Sequence, residues 1–271
     1  MPPAERRAAV LGSPIQHSLS PALHRAAYAA LGLHSWTYDR VECGEAQLAG
    51  FVASLGPEWV GLSLTMPLKR AALDVATEVS ERAVAIGAAN TLVLDGRDRR
   101  AENTDAPGMV DALRAAGVSR PARPVLIGAG GTALAALAAV TELTPAPVTV
   151  LVRDARRADD LVAAAARLRV NVDLRRLEEA SEVLGPADLV VSTVPRGAAD
   201  HLAGIRWAPG TVVFDVVYDP WPTPLAAAAA VAGCAVVSGL ELLLRQAAHQ
   251  VRLMTGRPAP LEAMRSALAI R

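Results

Sequence analysis

The chain has 271 residues, enough for one large domain or two of ordinary size, and 52% of them are hydrophobic, enough for sizeable cores. Lys plus Arg equal Asp plus Glu at 27 each, so no net field draws in nucleic acid or a membrane surface. No apolar run reaches the roughly 20 residues that a spanning helix needs, and the run behind Arg6-Arg7 is too short for an export signal. Cys43 and Cys234 lack metal-ligand spacing and read as small core residues in a reducing cytoplasm. Of the 27 basic residues, all but Lys69 are Arg. Arg stays charged, whereas a Lys can be tuned to give and take a proton, so the lone amine is a candidate for chemistry. The plain alternative is a leftover in a codon-biased protein.

Residues 1–7 read as a frayed tail and Ala8 to Leu11 as a strand. In the loop that follows, Ser20 with Pro21 marks a helix start, Ser20 as N-cap and Pro21 at the first helical position, with a stop at Gly32. Ser18 has no capping duty, and the two hydroxyls could bind a carboxylate or a hydroxylated ligand. Trp36 to Val41 alternates as a strand, Ala46 to Leu55 is an amphipathic helix, and Val60 to Leu64 is an apolar strand. That strand runs into Thr65-Met66-Pro67-Leu68-Lys69, placing the lone Lys just past a strand end, where α/β proteins keep their chemistry. Helices follow to about Val75 and over Ser80 to Ile86. A hairpin turning at Asp95-Gly96 is flanked by Asn90 and Asn103, two of the three Asn in the chain. Asp105 caps a helix over Ala106 to Ala116 or serves as a catalytic carboxylate.

In the second half, strands near 125–127, 148–152, 171–175, 188–192, 212–215 and 235–237 alternate with helical segments, which predicts a doubly wound parallel sheet. The stretch Val125 to Ala133 is a strand turning into a helix through Gly128, Ala129, Gly130, Gly131 and Thr132. Gly128 permits the tight turn, Gly130 lets backbone N–H groups approach a phosphate, and the helix dipole points at the same spot. An ordinary strand–helix turn is the plain alternative. The next strand ends in Arg153-Asp154-Ala155-Arg156-Arg157, and Arg at that position favours a ribose 2′-phosphate, hence NADP. Asp154 caps the following helix or reads a free 2′-hydroxyl. Thr193 lies on a loop where a nicotinamide ribose often rests, and Tyr218 carries a polar tip on an irregular segment. Ser238-Gly239-Leu240 opens a helix over Glu241 to Met254, with Gln246 and Gln250 on one face, toward solvent or a cleft. The tail from Pro258 to Arg271 reads as a last helix.

Taken together, the motifs Ser18-Leu19-Ser20-Pro21, Thr65 to Lys69, Gly87-Ala88-Ala89-Asn90-Thr91, Asn103-Thr104-Asp105, Gly128 to Gly131, Asp215 to Tyr218 with Pro222-Thr223-Pro224-Leu225, and Gly239-Leu240 with Gln246 resemble the shikimate dehydrogenase family along nearly the whole chain. The resemblance implies reversible NADPH-dependent reduction of 3-dehydroshikimate to shikimate. It implies a substrate domain over 1–105 and 241–271 and a Rossmann-like NADP domain over 106–240. By motif, Lys69 and Asp105 become the catalytic pair, and Ser18, Ser20, Thr65, Asn90, Asp105, Tyr218 and Gln246 the substrate contacts. Gly128 to Thr132, Arg153, Arg157, Thr193 and Gly239 become the cofactor contacts, with no metal. The expected state is a cytoplasmic monomer or homodimer. Three positions depart from the family pattern: Ser63 stands where Asn is common, Val152-Arg153-Asp154 replaces Asn-Arg-Thr, and Ser192 replaces a frequent Asn. Ser63 is expected to lose one substrate hydrogen bond or to fill it with water. The competing readings are a quinate-oxidising enzyme of the same build, using NAD, and a non-catalytic dinucleotide-binding regulator.

Overall fold

The computed structural model describes residues 5–269, the side chain of Arg157 excepted. The chain divides into two compact units, one of residues 1–104 and 244–271 and the other Asp105–Leu243.

The first unit opens with β1 (Arg6–Gly12), α1 (Ser20–Ala30), β2 (Trp36–Glu42), α2 (Glu45–Ala53) and β3 (Trp59–Leu64). It continues with α3 (Ala71–Val75), β4 (Glu78–Val79), α4 (Glu81–Ile86), β5 (Thr91–Asp95) and β6 (Asp98–Glu102). The strands form one sheet in the order β2-β1-β3-β5-β6-β4. β1 pairs in parallel with β2 and β3, while β5 runs antiparallel to β3 and to β6. Mixed direction follows from the connections: helices return the chain between the first three strands, and the tight Asp95-Gly96 turn reverses it. One face packs Leu11, Leu62, Leu64 and Leu92 against Leu48 and Val52 of α2. The other packs Val10 with Tyr28 and Tyr38.

The strand begins earlier than the sequence suggested. Arg6 and Arg7 pair within β1, the Arg7 N–H donating to the Glu58 carbonyl at 2.9 Å, and the Arg7 guanidinium lies 4.7 Å from the Trp59 ring centre. That cation–π seat and the ladder order two residues whose charge alone read as tail. The two-residue β4 was also not anticipated, being too short to show a period.

The second unit runs α5 (Asp105–Ala115), β7 (Pro124–Ile127), α6 (Gly131–Leu143), β8 (Val148–Val152), α7 (Asp159–Leu168) and β9 (Val172–Arg176). Then come α8 (Ala180–Leu184), β10 (Leu189–Ser192), β11 (Val212–Asp215), α9 (Pro224–Val231) and β12 (Ala235–Ser238). Its sheet has the order β12-β11-β10-β7-β8-β9, with every pairing parallel. Val125, Val190 and Val213 are fully buried or nearly so, as strands covered on both faces require. The order reverses between β7 and β10, the switch point of a Rossmann-like sheet. Two helices close the chain, α10 (Gly239–Thr255) and α11 (Leu261–Ala269), so the last helix is shorter than 258–271, and 270–271 lie outside the described residues. No helix among the described residues is long and apolar enough to cross a membrane.

Candidate active site

In the first unit, the ends of β1 and β3 close on each other. A Cβ at Gly12 would collide with the Thr65 methyl and stand 2.9 Å from the Met66 carbonyl, so glycine is what lets the two loops meet. The Thr65 N–H donates to the Leu11 carbonyl at 2.9 Å, and the Ser13 N–H to the Met66 carbonyl at 3.0 Å. This junction presents Lys69 half-buried just past β3. The Ala89 N–H donates to the Lys69 carbonyl at 2.8 Å, which sets the lysine loop beside Asn90.

The serine loop is held from β2. The Glu42 carboxylate accepts from the Ser13 hydroxyl at 2.6 Å and the Ile15 N–H at 3.1 Å, and the Arg40 guanidinium donates twice to the Ser18 carbonyl, at 2.9 and 2.7 Å. Here the expected roles of the two serines are reversed. The helix starts at Ser20 itself, with Leu19 at the N-cap position, and the Ser20 N–H donates to the Ser18 Oγ at 3.3 Å. Pro21 fixes the first-turn φ and lacks an N–H, so the hydroxyl two residues upstream is the one in reach of a free donor. Ser20 is buried and Ser18 half-buried.

Asn90, Asn103 and Gln246 are buried. The Asn103 Nδ2 donates to the Ala88 carbonyl at 3.0 Å, a fastening role rather than a free polar tip. The Asn90 Oδ1 accepts from the Thr104 N–H at 2.8 Å and the Thr91 hydroxyl at 3.0 Å. Its Nδ2 donates to the Thr104 Oγ1 at 2.9 Å and to the Gln246 Oε1 at 3.3 Å. The structure thus brings together Asn90 and Gln246, 156 residues apart in sequence. Gln250, one turn on, is also buried. Its Nε2 donates to the Asn90 carbonyl at 3.2 Å and to the Thr91 Oγ1 at 2.9 Å, and its Oε1 accepts from the Ser63 hydroxyl at 2.8 Å. Ser63 in turn accepts from the Tyr38 hydroxyl at 2.6 Å. The Ser63 hydroxyl thus has a protein partner on each side. His24 stacks on Tyr38 at 3.9 Å and reaches the Gln250 Oε1 with Nε2 at 3.2 Å. Burial lowers the His24 pKa to about 3, so the ring is neutral and Nε2 is the donor. Burial likewise pushes the Tyr38 phenol upward.

In the second unit, Gly128 has φ +108°, and a Cβ there would stand 2.7 Å from the Thr193 Oγ1. Both a positive φ and a close approach therefore demand glycine. The Thr193 N–H and hydroxyl both donate to the Ile127 carbonyl at 2.9 Å, tying the loop after β10 to the glycine turn. Gly130 caps α6, and a Cβ there would meet nothing within 4 Å, so its open side faces no protein atom. Gly131 opens that helix and the half-buried Thr132 follows. A cavity of about 610 Å³ lies along this turn. Gly128, Ala129, Gly130, Arg153, Asp154 and Val194 are among its lining residues. Arg153 thus stands where expected, at the end of β8 against the cavity. Asp154 takes the capping role: its Oδ1 accepts from the Arg156 N–H at 3.1 Å and Nε at 3.2 Å. The Arg157 side chain lies outside the described residues.

Two further sequence candidates fall on the segment after β11 and the start of α10. Asp215 accepts from the Thr223 hydroxyl at 2.8 Å and the Val217 N–H at 3.1 Å, and burial raises its carboxyl above the usual range. These bonds shape the irregular segment that carries the half-buried Tyr218. A Cβ on Gly239 would overlap the Val216 carbonyl, so this helix start is packed against that segment's backbone. Asp105 is the first residue of α5 and is buried. Among the described residues no group of three or more His, Cys, Asp or Glu could hold a metal ion. Arg40, Glu42 and Thr104 were given no role from sequence, and Gln250 only a helix face shared with Gln246. Their partners are distant in the chain, and only the charge of the first two and the polarity of the last two stood as signals.

Comparison with known proteins gives a consistent result. The family described as shikimate dehydrogenase substrate binding domain matches residues 10–92, and the family described as shikimate 5'-dehydrogenase C-terminal domain matches residues 239–269. The shikimate dehydrogenase (NADP(+)) of Moorella thermoacetica is 37% identical over 268 residues, spanning 94% of this chain and 90% of the relative. The crystal structure of Mycobacterium tuberculosis shikimate dehydrogenase is 47% identical with a TM-score of 0.90, covering 98% of this chain and 100% of that one. The shikimate 5-dehydrogenase of Thermus thermophilus, solved in complex with NADP(H) and shikimate, is 33% identical with a TM-score of 0.85, covering 97% and 98%.

Proposed function

The chain belongs to the shikimate dehydrogenase family, and on that premise we propose that it reduces 3-dehydroshikimate to shikimate, reversibly and with NADPH. It is an oxidoreductase acting on a CH–OH group, in the biosynthesis of chorismate and the aromatic amino acids. The observation that carries this reading is similarity running almost end to end along relatives that bear the activity in their names. The second-unit cavity fits the cofactor: a glycine turn and a helix N-terminus suit a pyrophosphate, and Arg153 suits a 2′-phosphate. With its carboxylate engaged by Arg156, Asp154 serves the turn, which favours NADP over NAD.

When bound, the dinucleotide supplies the hydride. As charge builds on the ketone oxygen, the Lys69 ammonium donates a hydrogen bond and then its proton, and Asp105 supports the charged amine. Ser18, Ser20, Thr65, Asn90, Tyr218 and Gln246 orient the substrate, which limits the reacting geometries. Gly128 to Thr132, Arg153, Arg157, Thr193 and Gly239 hold the cofactor. Residues 1–105 and 241–271 serve the substrate and 106–240 the cofactor. The chain works in the cytoplasm as a monomer or homodimer, with no nucleic-acid partner.

The test follows nicotinamide absorbance while crossing shikimate and quinate with NADP⁺ and NAD⁺. The expected result is the highest kcat/KM for shikimate with NADP⁺. A preference for quinate with NAD⁺ would move the chain to the related activity, and NADP⁺ binding without turnover would make it a regulator.

A further inference from the structure

In the buried cluster behind Asn90, two backbone groups orient the Asn90 and Gln250 amides. The Asn90 carbonyl can only accept, so the Gln250 atom 3.2 Å from it is the NH₂ nitrogen. The Gln250 oxygen therefore faces Ser63 and His24, and both must donate to it, at 2.8 and 3.2 Å. With its own proton so committed, Ser63 accepts from Tyr38. At the other end, the Thr104 N–H can only donate, so the Asn90 atom 2.8 Å away is Oδ1. Gln250 fills the acceptor side of the Thr91 hydroxyl at 2.9 Å, and the Thr91 proton is left to fall on the Asn90 Oδ1 at 3.0 Å. The Asn90 oxygen is thus held by Thr104 and Thr91, and the Asn90 NH₂ donates to the Thr104 Oγ1 and the Gln246 Oε1.

We propose that Thr91 and Gln250 are positioning residues for the substrate, holding the Asn90 amide together with the Thr104 N–H so that its NH₂, not its oxygen, faces Gln246 and the ring acid bound there. Ser63, Tyr38 and His24 fix Gln250 in turn. The inference rests on the functional reading above, in which Asn90 and Gln246 meet the substrate. It gives Ser63 a duty in place of the Asn common in the family: a short hydroxyl that completes this relay rather than a direct ligand contact.

The experiment measures KM for shikimate, KM for NADP⁺, kcat and melting temperature in five proteins: the parent, Thr91→Val, Thr91→Ser, Gln250→Glu and the Thr91→Val/Gln250→Glu double variant. Val keeps the shape of Thr and removes the relay proton. Glu keeps the size of Gln but can only accept when ionised, so it draws the Thr91 proton away from Asn90. Both are expected to raise KM for shikimate about 3- to 10-fold, the worth of one hydrogen bond, with kcat and KM for NADP⁺ within about twofold. Thr91→Ser keeps the hydroxyl and is expected to bind as the parent does. Combining Thr91→Val with Gln250→Glu is expected to cost no more than the larger single change, because both cut one relay. Thr91→Val with an unchanged KM, or Thr91→Ser as impaired as Thr91→Val, would overturn the proposal. If Thr91→Val does not fold, Thr91→Ser and Gln250→Glu decide: a parental KM in Gln250→Glu overturns it. A parent that fails to turn over shikimate would instead sink the functional reading itself.

Discussion

On the proposed function, the two units would meet their ligands by opposite means. In the first, recognition is built from side chains: Asn90, Gln246, Gln250, Thr91 and Ser63 donate and accept in a buried cluster within a mixed sheet. In the second, it is built mainly from backbone: a glycine at positive φ, a helix start and a cavity along an all-parallel sheet, with Arg153 added. The difference matches the tasks. A small polyhydroxylated acid offers many acceptors and donors at fixed angles, which only placed side chains can match. A pyrophosphate asks for close approach and a positive field, which main-chain N–H groups provide once no Cβ intervenes.

The comparison can be broken at four places, in falling order of effect. Lys69→Met removes the proposed proton donor, and kcat is expected to fall by about 10² to 10⁴, the usual worth of general acid catalysis, with KM for NADPH unchanged; steady-state kinetics with 3-dehydroshikimate would read it. Gly128→Ala meets both a φ of +108° and the Thr193 hydroxyl. It is expected to cost about 1 to 3 kcal/mol of stability and to weaken NADPH binding while leaving shikimate binding intact, as calorimetric titrations with each ligand would show. Arg153→Ala should raise KM for NADPH about tenfold, in the range of a lost charge-assisted hydrogen bond, and leave KM for NADH in place; equal changes would mean that no 2′-phosphate is read there.

The effect that is smallest at neutral pH, and grows only as pH falls, is a pH dependence in the first unit. His24 is neutral in the fold down to about pH 3, while in the unfolded chain it takes a proton near 6.5. Between those values the unfolded state binds more protons, so stability is lost as pH falls through that window and is unaffected above it. The slope is about 1.4 kcal/mol per pH unit from this ring alone. Urea unfolding of the parent and His24→Leu at several values from pH 7.5 to 4 should show the parent losing stability more steeply below about 6.5. Parallel curves would mean that the ring takes its proton inside the fold.

The second unit was more legible in the sequence than the first. Its parallel strands are short apolar runs at regular spacing, and Gly128 and Arg153 declare themselves by type and by position after a strand. The mixed sheet was legible as separate strands and a hairpin, but the ordering of Arg6 and Arg7 depended on Trp59, which periodicity does not connect to them. The serine loop was read one step off because Pro21 marks a helix start without saying which hydroxyl serves it. Gln250 was visible only as a polar residue on an apolar helix face. Its partner His24 is 226 residues away, and nothing local announces a bond across that separation.

The scarcity of lysine has a practical consequence. Apart from the terminal amine, reagents that acylate, reductively alkylate or form imines with primary amines find one target, on the loop past β3. A lysine-directed protease likewise has a single bond to cut in the unfolded chain. Stoichiometric labelling with and without ligand therefore reports on one lysine nitrogen, with no background from a lysine-rich surface, once the terminal amine is assigned by peptide mass.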